Sequence, residues 1–363
     1  MTAFDHRTHG GRRRELAARA GVPEEALLDF SANLHPLGPP PWLSDAIAEA
    51  TSLVAFYPDP DSDELRLAAA DRFGGSPDEY TFADGADSLL MALPRALNAA
   101  STIVASPCYS GYARAASSHG ARLVRVPLEG AEAFSSASPR FASALRDAIS
   151  AAKRPALVML GWPNNPAGGC PEPEAILRLA RAFPETTFAL DDSFAELTLA
   201  PAGALPHAGG NIVAVRSLTK AYAIPGARVG FARCAPETAA AVRAELSAWP
   251  VSCFAARLGL RALKDPGWPA RAAALVGEEA PSLQASLRKL GIGSTWGGAN
   301  FLLLDFGSGA ALDAADARLA RSGMAIRRFA PDEGLPPGFA RIAIRLPGEN
   351  ARLLAALAEG ESR

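Results

Sequence analysis

Asn211-Ile212-Val213-Ala214-Val215-Arg216-Ser217-Leu218-Thr219-Lys220 is an apolar run that ends in two hydroxyls and an amine, with Arg228 eight residues further on. The run reads as a buried strand. Its end, carrying Ser217, Thr219, Lys220 and Arg228, suits a phosphate held beside a reactive amine. An amine in that place loses water, which lowers its pKa and makes it usable as a nucleophile. The plain alternative for Lys220 is a solvated charge in a surface loop.

Working outward, further short apolar runs lie at 101–105, 122–127, 156–160 and 186–190, and one follows at 227–232. Helical patterns at 86–98, 141–153 and 172–182 separate most of them. That βα rhythm predicts an α/β fold: a largely parallel sheet with helices on both faces. The connection from 211–215 to 227–232 has no room for a crossover helix, so the last strand is expected to be antiparallel and the sheet mixed. Upstream, helices are expected over 42–53 and 62–73, broken by Tyr57-Pro58-Asp59-Pro60. Residues 1–45 show little periodicity and end in Pro36, Pro39, Pro40 and Pro41, which reads as an N-terminal arm packing on the small domain and active site. After Pro250 the pattern changes to a long helical region over 252–290. Strands at 300–306, 324–329 and 339–345 follow, with helices at 311–322 and 352–359. The expected division is an arm, 1–45; a large domain, 46–250; and a smaller α+β domain, 251–363.

With 363 residues the chain exceeds one ordinary domain, and 49% hydrophobic residues supply a large core. Lys and Arg number 36 against 38 Asp and Glu, a net charge of −2, and no basic stripe extends beyond Arg12-Arg13-Arg14. This argues against nucleic acid and leaves a small anionic ligand open. Cys108, Cys170, Cys234 and Cys253 lack metal-ligand spacing and suit a reducing cytoplasm. No signal-peptide pattern opens the sequence, and no segment approaches the roughly 18 uninterrupted apolar residues of a membrane span. A soluble, cytoplasmic protein is expected.

Three more polar clusters sit just after apolar runs, where open α/β sheets bind ligands. Gly85-Ala86-Asp87-Ser88 opens a helix whose free N–H groups can hold a phosphate, or whose Asp87 or Ser88 simply caps it. Trp162-Pro163-Asn164-Asn165-Pro166-Ala167-Gly168 is either a plain turn or a rigid mount for a ligand-binding amide. Asp191-Asp192 follows a buried strand, either to meet a cationic ligand or to cap the next helix.

Together these stretches resemble the fold-type I pyridoxal-phosphate enzymes of the class I/II aminotransferase superfamily, in the order Gly85-Ala86-Asp87, Tyr109, Asn165-Pro166-Ala167-Gly168, Asp191, Ser217-Leu218-Thr219-Lys220 and Arg228. The resemblance implies a large domain with a mixed central sheet and a smaller α+β domain. Lys220 would be joined to pyridoxal 5'-phosphate and move the proton, and Asp191 would pair with the ring nitrogen. Asn165 would bind the ring oxygen, and Tyr109 would stack on the ring. Backbone at Gly85, Ala86 and Asp87, with Ser217, Thr219 and Arg228, would cage the phosphate. Tyr57 would reach the partner subunit's phosphate in a homodimer. Arg341 would bind the substrate carboxylate. Arg345 lies four residues on, which places it on the same face of a strand and suggests a second anionic group, unless it makes a surface salt bridge. Phe194 stands three residues after Asp191, where many relatives have tyrosine.

Within that superfamily the chain is most similar to threonine-phosphate decarboxylases of cobalamin biosynthesis. The matching pieces are His9-Gly10-Gly11, Leu28-Asp29-Phe30-Ser31-Ala32-Asn33, Asp191-Asp192-Ser193-Phe194 and 217–226. There Phe194 is expected, and His9, Gly10 and Asn33 would lie near the substrate. His35 stands where relatives often carry a second asparagine. The implied reaction converts L-threonine O-3-phosphate to (R)-1-aminopropan-2-yl phosphate. Histidinol-phosphate aminotransferase is the nearest alternative, and a catalytically silent corrinoid-pathway binding protein is another. A nicotinamide enzyme is disfavoured because no GxGxxG follows an early strand.

Overall fold

The computed structural model describes residues 9–128, 139–198 and 210–359. Its first eight strands are β1 (Leu28–Asp29), β2 (Tyr80–Ala83), β3 (Ser101–Ser106), β4 (Arg122–Pro127), β5 (Ala156–Gly161), β6 (Thr186–Asp191), β7 (Ile212–Ser217) and β8 (Gly230–Arg233). All but β1 join one seven-stranded sheet, in the order β2-β8-β7-β6-β5-β3-β4. Strands β3 to β7 pair in parallel, and β8 runs antiparallel to both β7 and β2. The mixed sheet expected from the short 211–232 connection is therefore present. Only a short helical turn, Leu218–Ala221, and a 3-10 turn, Pro225–Ala227, lie between those two strands.

Strands β5 and β7 are buried at every position, as interior strands covered on both faces must be. Strand β4 ends the sheet and exposes Arg122 and Arg125, charges that blunt an open edge. Strand β2 was not among the expected runs; its four residues are all buried and carry no alternation to read. Helix Ala86–Ala96 has no side-chain N-cap and contains Pro94. Packing holds it: Leu89, Leu90 and Leu93 are buried against Val104, Met159 and Val213. Each fully buried leucine contributes about 1.5–3 kcal/mol.

Five more strands follow: β9 (Gly293–Thr295), β10 (Phe301–Asp305), β11 (Met324–Ala325), β12 (Arg327–Arg328) and β13 (Phe339–Ala343). Four of them form an antiparallel sheet in the order β12-β13-β10-β9. The single strand expected over 324–329 is split, because β11 pairs in parallel with β1 instead. The arm is thereby stitched to the small lobe, and Leu28 and Phe30 join that lobe's core. The arm also contains a helix, Arg13–Ala20, that periodicity did not reveal; Ala17 is its one buried residue, and Arg19 pairs with Asp316 at 2.8 Å.

The helical region expected over 252–290 is two helices, Cys253–Leu263 and Gly267–Lys289, interrupted at Lys264-Asp265-Pro266. The first, with Ala272 of the second, packs on Tyr80, Leu218 and Phe231 of the large body. Val276, Leu283 and Leu287 pack on Leu302 and Ile342 of the small lobe. The change of body thus falls inside Gly267–Lys289 rather than at residue 251. The last helix starts at Pro347, five residues before the expected Arg352, because proline suits a first helical position.

Candidate active site

Three neighbouring strands, β5, β6 and β7, end at Gly161, Asp191 and Ser217. A cavity of about 320 Å³ opens at these ends, between them and the small lobe. Lys220 is half-buried there on the turn Leu218–Ala221. The Ser217 hydroxyl accepts from the Thr219 N–H at 3.3 Å and lies 2.7 Å from the Thr219 hydroxyl, which shapes that turn. Burial, then the nearby Arg228 and Arg341 cations, lower the Lys220 amine to about 8, against an opposing pull from Asp191.

Arg228 has a positive φ of 54°, uncommon for a side-chain-bearing residue. Its guanidinium crosses Gly85, where a Cβ would come within 2.6 Å of Nη2. Gly85 is required here twice over, by that approach and by its φ of 106°. It precedes helix Ala86–Ala96, and of the two readings of this stretch, capping by Asp87 or Ser88 is absent. The Asp87 carboxylate instead accepts from the Tyr109 hydroxyl at 3.0 Å and from Arg114. Ala86, Asp87, Ser217, Thr219 and Arg228 all line the cavity.

Asp191 does not cap a helix. One of its oxygens accepts from the Ser193 N–H and hydroxyl, at 3.1 and 2.6 Å, and the other from the Tyr112 hydroxyl at 2.8 Å. Burial raises its pKa, and these donors oppose the rise. Asp192 points the other way, as alternation along the chain requires, and pairs with buried Arg216. The adjacent asparagines also divide. Asn164 donates to the Pro107 carbonyl at 3.1 Å, whereas Asn165 lines the cavity and accepts from Arg341. The Tyr109 ring lies 5.4 Å from the His9 ring, and Phe194 packs edge-on to Phe301.

Arg341, on β13, is 6% exposed and donates to the Ser31 carbonyl at 2.9 Å. Burial and then repulsion from Arg327 lower its pKa to about 9. His9 lines the same wall, its pKa lowered by burial and then by Arg327. Gly10 sits so close to the Ser31 carbonyl that a Cβ would lie 2.1 Å from the oxygen. Asn33 is 4% exposed and lines the cavity, and neither polar atom of its amide has a partner among the described residues.

Arg345 and Tyr57 stand outside this cavity, Tyr57 having been expected only at a partner's phosphate. Arg345 does not line the cavity: it pairs with Glu349 at 2.9 Å and donates to the Asp29 carbonyl. Strand β13 ends at Ala343, so strand alternation never carries Arg345 onto the face of Arg341. Tyr57 is 79% exposed, stacks on Trp249 with centroids 4.2 Å apart, and borders a different cavity.

Arg327, Glu333, Tyr112 and Arg114 also belong to the site or support it, and none was among the residues expected there. Arg327 is directly opposite Arg341 in the β12–β13 pair, lines the cavity and bonds Glu333 at 2.6 Å. Its signal was present as an arginine inside an apolar strand. Nothing local marks Arg114, which reaches Asp87 from helix Gly111–His119.

A model of the aminotransferase class I and II family matches residues 25–357. The chain belongs to that family. It is 32% identical to the threonine-phosphate decarboxylase of Salmonella typhimurium over 98% of this chain and 97% of that protein. Identity is also 32% to a histidinol-phosphate aminotransferase of Anaeromyxobacter, over 94% and 93%. The adenosylcobalamin biosynthesis bifunctional protein CobDQ of Leptospira interrogans is 29% identical over 95% of this chain, which spans 40% of that protein's length. The crystal structure of Sinorhizobium meliloti histidinol-phosphate aminotransferase with pyridoxal-5'-phosphate superposes with a TM-score of 0.83 at 26% identity, covering 96% of this chain and 93% of that one. The fold is that of a fold-type I aminotransferase, and the cofactor is pyridoxal phosphate. No helix among the described residues is long and apolar enough to cross a membrane.

Proposed function

We propose that this chain decarboxylates L-threonine O-3-phosphate to (R)-1-aminopropan-2-yl phosphate in cobalamin biosynthesis, as a cytoplasmic homodimer. The observation that carries the reading is the pair of buried guanidiniums, Arg327 and Arg341, set opposite one another in a wall that also holds His9 and the unpartnered amide of Asn33. Like charges in register repel until anions arrive; Glu333 bonds Arg327 directly, and it and Asp29 offset the repulsion at Arg341 only in part. Such a wall suits a small substrate with both a carboxylate and a phosphate.

The residues present fit the cofactor. Uncapped N–H groups at Ala86 and Asp87, the hydroxyls of Ser217 and Thr219, and Arg228 are a phosphate-binding set. Asp191 lines the cavity and would accept from a cationic ring nitrogen, Asn165 keeps its amide nitrogen for the ring oxygen, and Tyr109 is held by Asp87 for stacking. Pyridoxal phosphate, when bound, supplies an aldehyde for the substrate amine and a ring that draws electrons from a bond at the α-carbon. Lys220, in its ammonium form, would give a proton to the α-carbon once carbon dioxide has left, and its lowered pKa makes it a better acid for that transfer. Arg341 and Arg327 hold the two anions and so determine which α-carbon bond is presented. Phe194 supplies no hydroxyl, which leaves the ring-oxygen contact to Asn165.

Val54, Phe56 and Tyr57 are exposed, and Tyr57 stacks on exposed Trp249; a second copy covering these apolar groups would bring Tyr57 to the partner's phosphate cage, where Arg228 is exposed in the single chain.

The deciding experiment supplies threonine phosphate alone and measures carbon dioxide. Release without a keto-acid acceptor supports the decarboxylase. A strict need for 2-oxoglutarate transfers the chain to the second reading, a histidinol-phosphate aminotransferase, which the Sinorhizobium superposition favours. A protein that binds the cofactor and turns over neither substrate is the silent binding protein.

A further inference from the structure

His35 belongs to none of the roles above, yet it is 3% exposed and joins three parts of the molecule. Its main-chain N–H donates to the Lys220 carbonyl at 3.0 Å. Its ring stacks on Trp268, with centroids 5.0 Å apart and planes 14° from parallel. Nε2 lies 2.9 Å from the Trp268 carbonyl, and the Leu37 N–H reaches Nδ1 at 3.1 Å. The carbonyl has no proton to give, so Nε2 must carry one. The Leu37 N–H can only donate, so Nδ1 must be bare. One neutral tautomer satisfies both contacts.

We propose that His35 is a positioning residue that, only while neutral, pins the turn 33–38 to the main chain of Lys220 and to helix Gly267–Lys289. A second proton on Nδ1 would face the Leu37 N–H, so the ring accepts it only when the turn opens. Opening releases the Gly38 contacts with His35 and Trp268, the Lys220 carbonyl bond, and the mount of Asn33 two residues away.

The surroundings offer the cation no compensation. Asp265 is engaged by the Trp42 indole and the Trp268 N–H, and Arg271 lies over the Trp268 ring at 5.5 Å. Among the described residues no carboxylate bonds the His35 ring. Burial lowers its pKa from 6.5, and the Trp268 carbonyl opposes this only in part. The folded pKa thus lies below the unfolded one. The stabilisation is complete above about pH 6.5 and is lost as pH falls below it.

The importance of the turn rests on Lys220 and Asn33 being functional, but the test reads the protein without cofactor or substrate. Hydrogen exchange of the peptide spanning 30–41, corrected for intrinsic rates, is compared at pH 7.5 and 5.5 in the apoprotein. One proton linked to opening, with an open-state pKa near 6.5, lowers protection about tenfold over that interval. His35→Gln, which keeps a donor for the Trp268 carbonyl, should remove that pH dependence, while His9→Gln should retain it. Equal wild-type protection at both pH values overturns the proposal, as does a His35→Gln variant that loses protection like wild type. If His35→Gln fails to fold, histidine-selective isotope labelling of wild type replaces it. The His35 ring must then gain its proton over the pH range in which the peptide opens. A ring that protonates with the turn closed, or stays neutral while it opens, refutes the idea.

Discussion

Replacing Gly85 with alanine should loosen the hold on the cofactor phosphate without changing the bond that is broken. Gly85 has φ 106° and ψ 164°, a region essentially confined to glycine. Forcing a side-chain-bearing residue into it costs about 1–3 kcal/mol. The added Cβ would lie 2.6 Å from Nη2 and 3.2 Å from Cζ of Arg228. Ordinary contact needs about 3.5 Å, so the guanidinium must retreat by roughly 1 Å. That displaces one charge-assisted contact to the phosphate, worth about 1.5–3 kcal/mol, which raises the cofactor Kd about 10- to 150-fold. The assay is absorbance titration of apoprotein with pyridoxal phosphate, beside Arg228→Ala and the double variant. If Gly85 acts through Arg228, the double variant binds no worse than Arg228→Ala alone. An unchanged Kd in Gly85→Ala, or fully additive losses, would refute the coupling of Gly85 to Arg228, and an unchanged Kd in Arg228→Ala would remove Arg228 from the phosphate cage.

Lys220→Ala should abolish borohydride trapping of the cofactor, whereas trapping that persists points to another amine. In wild-type apoprotein the rate of covalent cofactor capture should climb about tenfold per pH unit below 7 and level off above about 8, because the neutral amine reacts; a plateau reached only near 10 would remove the effect of burial. Asn33→Ala should raise KM for threonine phosphate about tenfold and leave cofactor affinity unchanged, since its amide has no partner to lose among the described residues. Arg345→Ala should leave KM within about twofold and lower stability by only about 0.5 kcal/mol, because its pair with Glu349 is partly exposed and screened; a large KM change would restore Arg345 to the substrate site.

The fold was readable where chemistry is local and repetitive. The βα alternation, the strand feeding Lys220 and the antiparallel return at β8 all follow from run lengths and connection lengths. Strand β2 and helix Arg13–Ala20 escaped because the one is buried throughout and the other buries a single alanine, leaving no period to detect. Ser217, Thr219, Lys220 and Arg228 were visible together because they lie within twelve residues.

Contacts across the chain were a different matter. Arg327 meets Arg341 only through strand register, and Asp87 holds Tyr109 and Arg114 only through packing of neighbouring helices. Arg345 left the site because β13 stops two residues before it. Sequence alone determined which reactive groups this chain carries and which family they resemble, since residue type and spacing are local properties. Which of those groups share one cavity, and which spend themselves on structural pairs, was decided by the tertiary fold, because strand register and burial depend on residues tens to hundreds of positions apart.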